Sequence, residues 1–175
     1  MSLGSHGSGI RLVITGHDND GKGGIAADRR VGSGGPAADA WQAYLLWGTD
    51  KLPKFPDAGQ PGSFTTPTPP PGAVRFCELV VYPEGQHHWV SAPTDLARDG
   101  IHKAEGETGG MHYTATIDFV VVIDGEVVLR LDKEETVLRK GDYLVQNGTR
   151  HEWINRGKAP ARLGVFVVGT EHAGF

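Results

Sequence analysis

The sequence predicts an all-β fold, a small barrel of two packed antiparallel sheets. Three observations predict it. Glycine numbers 26 and proline 11 in 175 residues, and short β-branched runs lie between them, the pattern of short strands joined by tight turns. After Gly110 such runs follow one another closely, at 111–123, 126–132, 136–140, 141–147, 151–157 and 161–170, the spacing of barrels and sandwiches. No amphipathic helical segment separates them, so a parallel sheet with crossover helices does not fit.

The N-terminal part reads in order as follows. Residues 1–9 (MSLGSHGSG) lack a hydrophobic signal region and read as a flexible tail. IRLVITGH (10–17) alternates as a strand, the Asp-Gly and Gly-Gly steps after it mark a hairpin, and GIAADRR is the return strand. Residues 31–39 form a flexible loop. In 40–49, Trp41, Ala43, Leu45 and Trp47 alternate, which predicts a strand, with a short helix as the alternative. Residues 51–73 hold seven prolines and three glycines. Proline cannot donate into a ladder, so this is a long loop or extended arm, expected either to wrap a partner or to cover the mouth of the barrel. VRFCELVVYP (74–83) is a strand, and 84–110 is loop with one helical turn near PTDLARDG, capped by Thr94. The 50 residues before the arm hold too little apolar sequence for a core of their own, so residues 10–175 are expected to form one domain.

Composition narrows the partners. The net charge of −4, from 17 basic and 21 acidic side chains with no long basic run, speaks against nucleic acid and anionic membranes. No apolar run approaches the ~20 residues that span a bilayer. The single cysteine, Cys77, lies in an apolar strand and is expected to be a buried, inert thiol. One cysteine excludes a disulfide framework and fits a reducing, cytoplasmic setting.

The chemistry concentrates in two stretches. In MHYTATIDFVVVI (111–123), a continuous strand would place His112, Thr114, Thr116 and Asp118 on one face, followed on that face by Val120 and Val122. In GDYLVQNGTRHEWIN (141–155), His151 follows a glycine turn, with Gln146, Trp153 and Asn155 near it. Two imidazoles and a carboxylate converging from neighbouring strands make a facial ligand set for a divalent metal. Such a set leaves coordination positions open, as catalysis needs. The valines beyond it predict an apolar interior suited to a small, partly apolar ligand.

The spacing of these residues resembles the two motifs of the cupin superfamily. The first motif is met by His112-x-Thr114, three residues, Asp118, six residues and Gly125. The second is met by Gly141, four residues, Gln146-x-Gly148, two residues, His151, three residues and Asn155. The resemblance implies a double-stranded β-helix, or jelly-roll barrel, whose motifs span 106–168. Residues 10–105 would then be an N-terminal strand extension that includes the proline-rich arm. Three departures stand out: Thr114 occupies the place of a second metal histidine, Asp118 that of a glutamate, and Gln146 that of a proline. Carried over residue by residue, the resemblance implies His112, Asp118 and His151 as ligands of iron, manganese, nickel or zinc. Thr114 and Gln146 are the candidates for orienting water or substrate. It also implies a homodimer.

The function expected on these grounds is a metal-dependent decarboxylase, dehydratase or isomerase. Its substrate would be a small organic acid or a phenolic, polyketide-like compound. A non-catalytic small-molecule-binding cupin and an iron-dependent dioxygenase with two histidines and one carboxylate are the alternatives. Trp153 is expected to pack or to wall the cavity, and Asn155 to shape a turn. His17, His87, His88, His102 and His172 are expected to lie outside the site.

Overall fold

The computed structural model describes residues 9–32, 37–38, 41–86, 100–105, 107 and 109–173. Their order is β1 (Ile10–His17), β2 (Gly23–Val31), β3 (Ala37–Ala38), β4 (Trp41–Thr49), β5 (Val74–Val81), β6 (Thr116–Asp124), β7 (Glu126–Leu131), β8 (Glu135–Arg139), β9 (Tyr143–Asn147), β10 (His151–Ile154) and β11 (Ala161–Gly169). There is no helix among them. Two sheets face each other, one of six strands in the order β3-β4-β5-β11-β6-β9 and one of three in the order β10-β7-β8. The all-β, jelly-roll expectation holds.

Alternation decides what each strand buries. On β6, Thr116, Val120 and Val122 point inward and Phe119 and Ile123 outward. The register carries this inner face across the large sheet: Val122, Val120 and Asp118 lie opposite Leu163, Val165 and Val167 of β11. Leu163 and Val165 in turn lie opposite Leu79 and Cys77 of β5. The small sheet answers with Val127, Leu129 and Trp153, and these side chains close one core. Cys77 is buried in it, as expected.

Strands β4 and β5 precede the motif region yet form the middle of the large sheet, so residues 41–81 are part of the barrel wall. The β1–β2 hairpin, expected from its glycine turn, pairs only with itself and lies on the outer face. There Ile10, Leu12 and Val31 pack on Tyr44, Leu46 and Val80. The proline-rich segment runs without strand from Lys51 to Gly72, apart from a single bridge between Thr49 and Ser63.

Two elements differ from their expectations: β3 (Ala37–Ala38) pairs with β4 inside the stretch 31–39 expected to be a loop, and the strand at 111–123 is interrupted. Residues 111–123 do not form a continuous strand. His112 bridges His151 and Tyr113 bridges His102, while the strand in the large sheet begins only at Thr116. The chain crosses from one sheet to the other between Tyr113 and Thr116. Strand parity therefore does not link His112 to Asp118. The expected helical turn near 93–100 with its Thr94 cap lies outside the described residues, as do His87 and His88.

Candidate functional site

His112 and His151 meet because their backbones form a doubly bonded cross-strand pair. His112 N–H donates to His151 O at 2.9 Å, and His151 N–H donates to His112 O at 2.8 Å. Residues directly opposite in an antiparallel pair project to the same face, and the two rings stand 4.4 Å apart between centroids, tilted by 51°. Gly148, at φ +60, makes the turn that returns β9 into β10 and so delivers His151.

Each ring is held in the same way. His112 Nδ1 lies 2.8 Å from Gly110 O, and His151 Nδ1 lies 2.9 Å from Thr149 O. A backbone carbonyl only accepts, so these bonds put the proton on Nδ1 of each ring and leave each Nε2 unprotonated. Gln146 supports this arrangement from β9. Its amide donates to Thr149 O at 2.9 Å and Thr149 Oγ1 at 2.7 Å and so fixes the residue whose carbonyl holds the His151 ring; the amide nitrogen itself, 3.0 Å from His151 Nδ1, meets a second donor there and makes no bond to it.

Burial sets the charge states. It pushes the His151 imidazole down to about 4, helped by neighbouring His112 and opposed by the bond to Thr149. It lowers His112 as well, against the bond to Gly110. Both rings are neutral near pH 7. Asp118 faces them from the large sheet. Burial raises its carboxyl to about 6, and the bond to the Thr116 hydroxyl acts in the opposite direction. Its Oδ1 is buried with no hydrogen-bond partner among the described residues. Thr116 Oγ1 is also 2.6 Å from Thr114 Oγ1, so a chain of hydroxyls leads from Thr114 to the carboxyl.

These groups line one cavity of about 120 Å³, close to the size that admits a benzene ring in an engineered core. Trp41 stacks beside His112 at 6.4 Å between centroids and 27°, and Trp153 meets His151 edge-on at 5.9 Å and 79°. Val120, Val165 and Leu79 supply apolar wall, and Pro67, Thr68 and Pro69 of the arm line it too.

His112, Thr114, Asp118 and His151 line the same cavity, and Trp153 is part of its wall. Gln146 is not in the lining and acts from behind His151. Asn155 shapes the chain, donating to Val81 O and Ala159 O. His17 is occupied with Asp57 O, while His102 and His172 flank Tyr113, and none of the three lines the cavity. Trp41 and the arm residues were not identified as site residues from sequence. The alternation around Trp41 fixes which residues share a face but not that the face is the inner one.

The donor set partly matches a divalent metal. Two neutral imidazoles with unprotonated Nε2, each donating Nδ1–H to a carbonyl, have the orientation that metal-ligating histidines adopt. Among the described residues, however, no three His, Cys, Asp or Glu side chains are placed together to hold an ion. The structure assembles His112 with His151 and leaves Asp118 outside that pair, because it enters from the opposite sheet.

Comparison with known proteins agrees with this architecture. Residues 101–169 match the family model Cupin_2, described as a cupin domain. The chain is 32% identical over 136 residues to the "Phomopsin biosynthesis cluster protein C'" of Diaporthe leptostromiformis, covering 74% of this chain and 66% of that protein. "Phomopsin biosynthesis cluster protein D" of the same organism matches with the same identity and coverage. The "Cupin-domain-containing oxidoreductase fogC" of Aspergillus ruber (strain CBS 135680) is 39% identical over 72 residues, 39% of this chain and 35% of that protein. The chain therefore spans slightly less than two thirds of the first relatives' length. No helix among the described residues is long and apolar enough to cross a membrane.

Proposed function

Because the chain belongs to the cupin superfamily through the domain at residues 101–169, we propose that its barrel cavity is the active site of a small-molecule enzyme. Its substrate class is a compact phenolic or polyketide-like acid or enol, and its reaction class is proton transfer leading to decarboxylation, dehydration or isomerisation. The observation that carries this reading is the pair of neutral imidazoles, His112 and His151, turned by their carbonyl bonds to face a protonatable Asp118 across an apolar cavity. Relatives named as biosynthesis-cluster proteins support a role in small-molecule biosynthesis.

The roles follow from the chemistry of each group. His112 and His151 would hold a divalent transition ion (iron, manganese, nickel or zinc) through Nε2. Such an ion supplies Lewis acidity toward a substrate oxygen. Asp118, raised to about 6 by burial, is matched to giving or taking a proton near neutral pH. Thr114 and Thr116 orient the proton's path through their shared hydrogen bond. Trp41 and Trp153 hold a flat ligand between them and, with the apolar walls, keep water out. One observation favours a second, redox reading: a relative matching part of the chain is named an oxidoreductase.

The test is metal content in protein purified without a histidine tag and equilibrated with each of the four ions in turn. Wild type is expected to retain about one ion per chain and His112→Ala or His151→Ala less than about a tenth, as expected when one of two imidazole ligands is lost. Asp118→Asn is expected to retain the ion. Full occupancy in His151→Ala would show the site assignment to be wrong. Oxygen uptake by the iron-loaded form, in the presence of a phenolic acid, would favour the redox reading.

A further inference from the structure

The proline-rich segment is fastened to the barrel by one buried cation. Arg75, on β5, is 1% exposed. Its Nε and Nη2 donate to Thr66 O at 3.0 and 2.8 Å, and Nη1 donates to Thr49 O at 3.2 Å and Val74 O at 2.9 Å. Nη2 also pairs with Asp50 Oδ1 at 2.6 Å, and the guanidinium carbon sits 4.5 Å above the centre of the Phe64 ring. Asp50 accepts in turn from Thr65 N–H and Oγ1, each at 3.0 Å. Thr66 Oγ1 then donates to Thr68 O at 2.7 Å. An unbroken chain of bonds therefore runs from Arg75 through Thr66 to Thr68, the middle one of the three arm residues that line the cavity.

Two glycines lock the far side of this segment. A Cβ at Gly100 would lie 2.7 Å from Thr68 Cβ, and a Cβ at Gly169 would collide with Pro69 O and Pro70 O. Gly72 N–H donates to Gly169 O at 3.0 Å, and Gly169 N–H to Ala73 O at 2.9 Å. The segment is thus held from β5, from β11 and from residue 100. Prolines at 67 and 69 stiffen its backbone where it faces the cavity. A loop that only connected β4 to β5 would not require a fully buried guanidinium with every N–H committed.

We propose that Pro67, Thr68 and Pro69 are the size-selecting wall of the cavity and that Arg75 is the residue that positions them. This rests on the reading of the cavity as the ligand site. The wall limits the ligand to roughly one aromatic ring, seated between the arm and the two histidines. Arg75 touches no ligand itself and acts through Thr66 and Thr68.

The cavity carries its own reporter, because Cys77 lines it and is the sole cysteine. Alkylation of the folded full chain by iodoacetamide and by the bulky N-(1-pyrenyl)maleimide compares a small with a large probe at the same atom. In Pro67→Gly/Pro69→Gly and in Arg75→Met, the large-to-small rate ratio is expected to rise about tenfold, as a loosened wall opens locally. Unfolding would speed both reagents together, and a thermal melt identifies it. Should Arg75→Met fail to fold, the double proline variant, altered only in the arm, decides. An unchanged ratio in that folded variant overturns the proposal. Quenching of tryptophan fluorescence by phenol, 1-naphthol and 1-pyrenol separates the two readings. Wild type is expected to bind the first and exclude the last, and the variants to admit all three. If no hydroxyarene binds any form while the alkylation ratio still rises, the wall stands and the proposed substrate class fails. If phenol binds and the ratio does not move, the wall fails alone.

Discussion

Asp118 and His151 line one cavity with opposite charge preferences. In the folded protein near pH 5, Asp118 is protonated and His151 is neutral, whereas in the unfolded chain both would be charged. The raised Asp118 contributes stability that is fully present below about pH 4 and lost as pH rises through about 6. The depressed His151 contributes stability present above about pH 6.5 and lost as pH falls through about 4. Over that window the two slopes oppose each other, and His112, also depressed, tilts the balance toward stability at higher pH. In metal-free protein, urea unfolding from pH 4 to 7 should show a shallow rise for wild type. Asp118→Asn removes the falling contribution, so its stability should rise more steeply than wild type's, by up to about 1.4 kcal/mol per pH unit. A slope equal to wild type's would place Asp118 in a more polar setting than its burial implies. Gln146 gives a second prediction. Gln146→Leu keeps the bulk and loses the amide bonds to Thr149. Metal affinity measured by competition with a chelator should fall about 10–100-fold, as for other groups that orient a ligand. Unchanged affinity would mean that Thr149 O alone fixes the ring.

At the scale of elements, the β1–β2 hairpin is an accessory. It pairs with no strand of the barrel and adheres through Ile10, Leu12 and Val31 to the outside of β4 and β5. Leu12→Asp should therefore cost about 1–3 kcal/mol in urea unfolding while leaving metal content intact. Loss of metal in a folded Leu12→Asp protein would show that the hairpin shapes the site. The strands themselves were readable from their alternation and glycine turns, which are local signals: IRLVITGH, VRFCELVVY and the runs after Gly110 all appear close to where the sequence places them. The crossing at Tyr113–Thr116 was not readable, because MHYTATID alternates without a break and nothing local marks a change of sheet. His112 and Asp118 reach one cavity all the same, but from opposite walls, which is why they share a pocket without forming a three-ligand group. That the arm at 51–73 covers the barrel mouth was one of two expectations, but that Pro67–Pro69 are the residues at the cavity was hidden. It depends on Arg75 and Gly169, partners distant in sequence, and composition can say only that proline-rich sequence is not ladder.

On the whole molecule, the hairpin covers one half of the large sheet's outer face and leaves the other half bare. The register aligns Phe76 of β5, Phe166 of β11, Phe119 of β6 and Val145 of β9 in one row across four strands. All four are exposed, as are Ile123 and Tyr143 on the same face, the latter at 82%. On β6 the outward positions Ile117, Phe119, Val121 and Ile123 carry no charge. A flat, uncharged apolar row of this extent is uncommon on a monomer. It is also self-complementary, since a two-fold axis through it lays each row on its copy. We propose that a second copy of this chain covers it, the homodimer expected from the resemblance. Sedimentation equilibrium at tens of micromolar should give a dimer for wild type and a monomer for Phe166→Glu, which puts a charge at the centre of the row. A monomeric wild type would leave the face for another apolar partner. A dimeric Phe166→Glu would move the interface elsewhere, and the hairpin would be the next surface to test. Because Phe166 points away from the cavity that its neighbours Val165 and Val167 line, metal content should not follow the change in mass. The two faces of this one sheet thus differ in kind, an inner face that lines the cavity and an outer row of exposed apolar side chains.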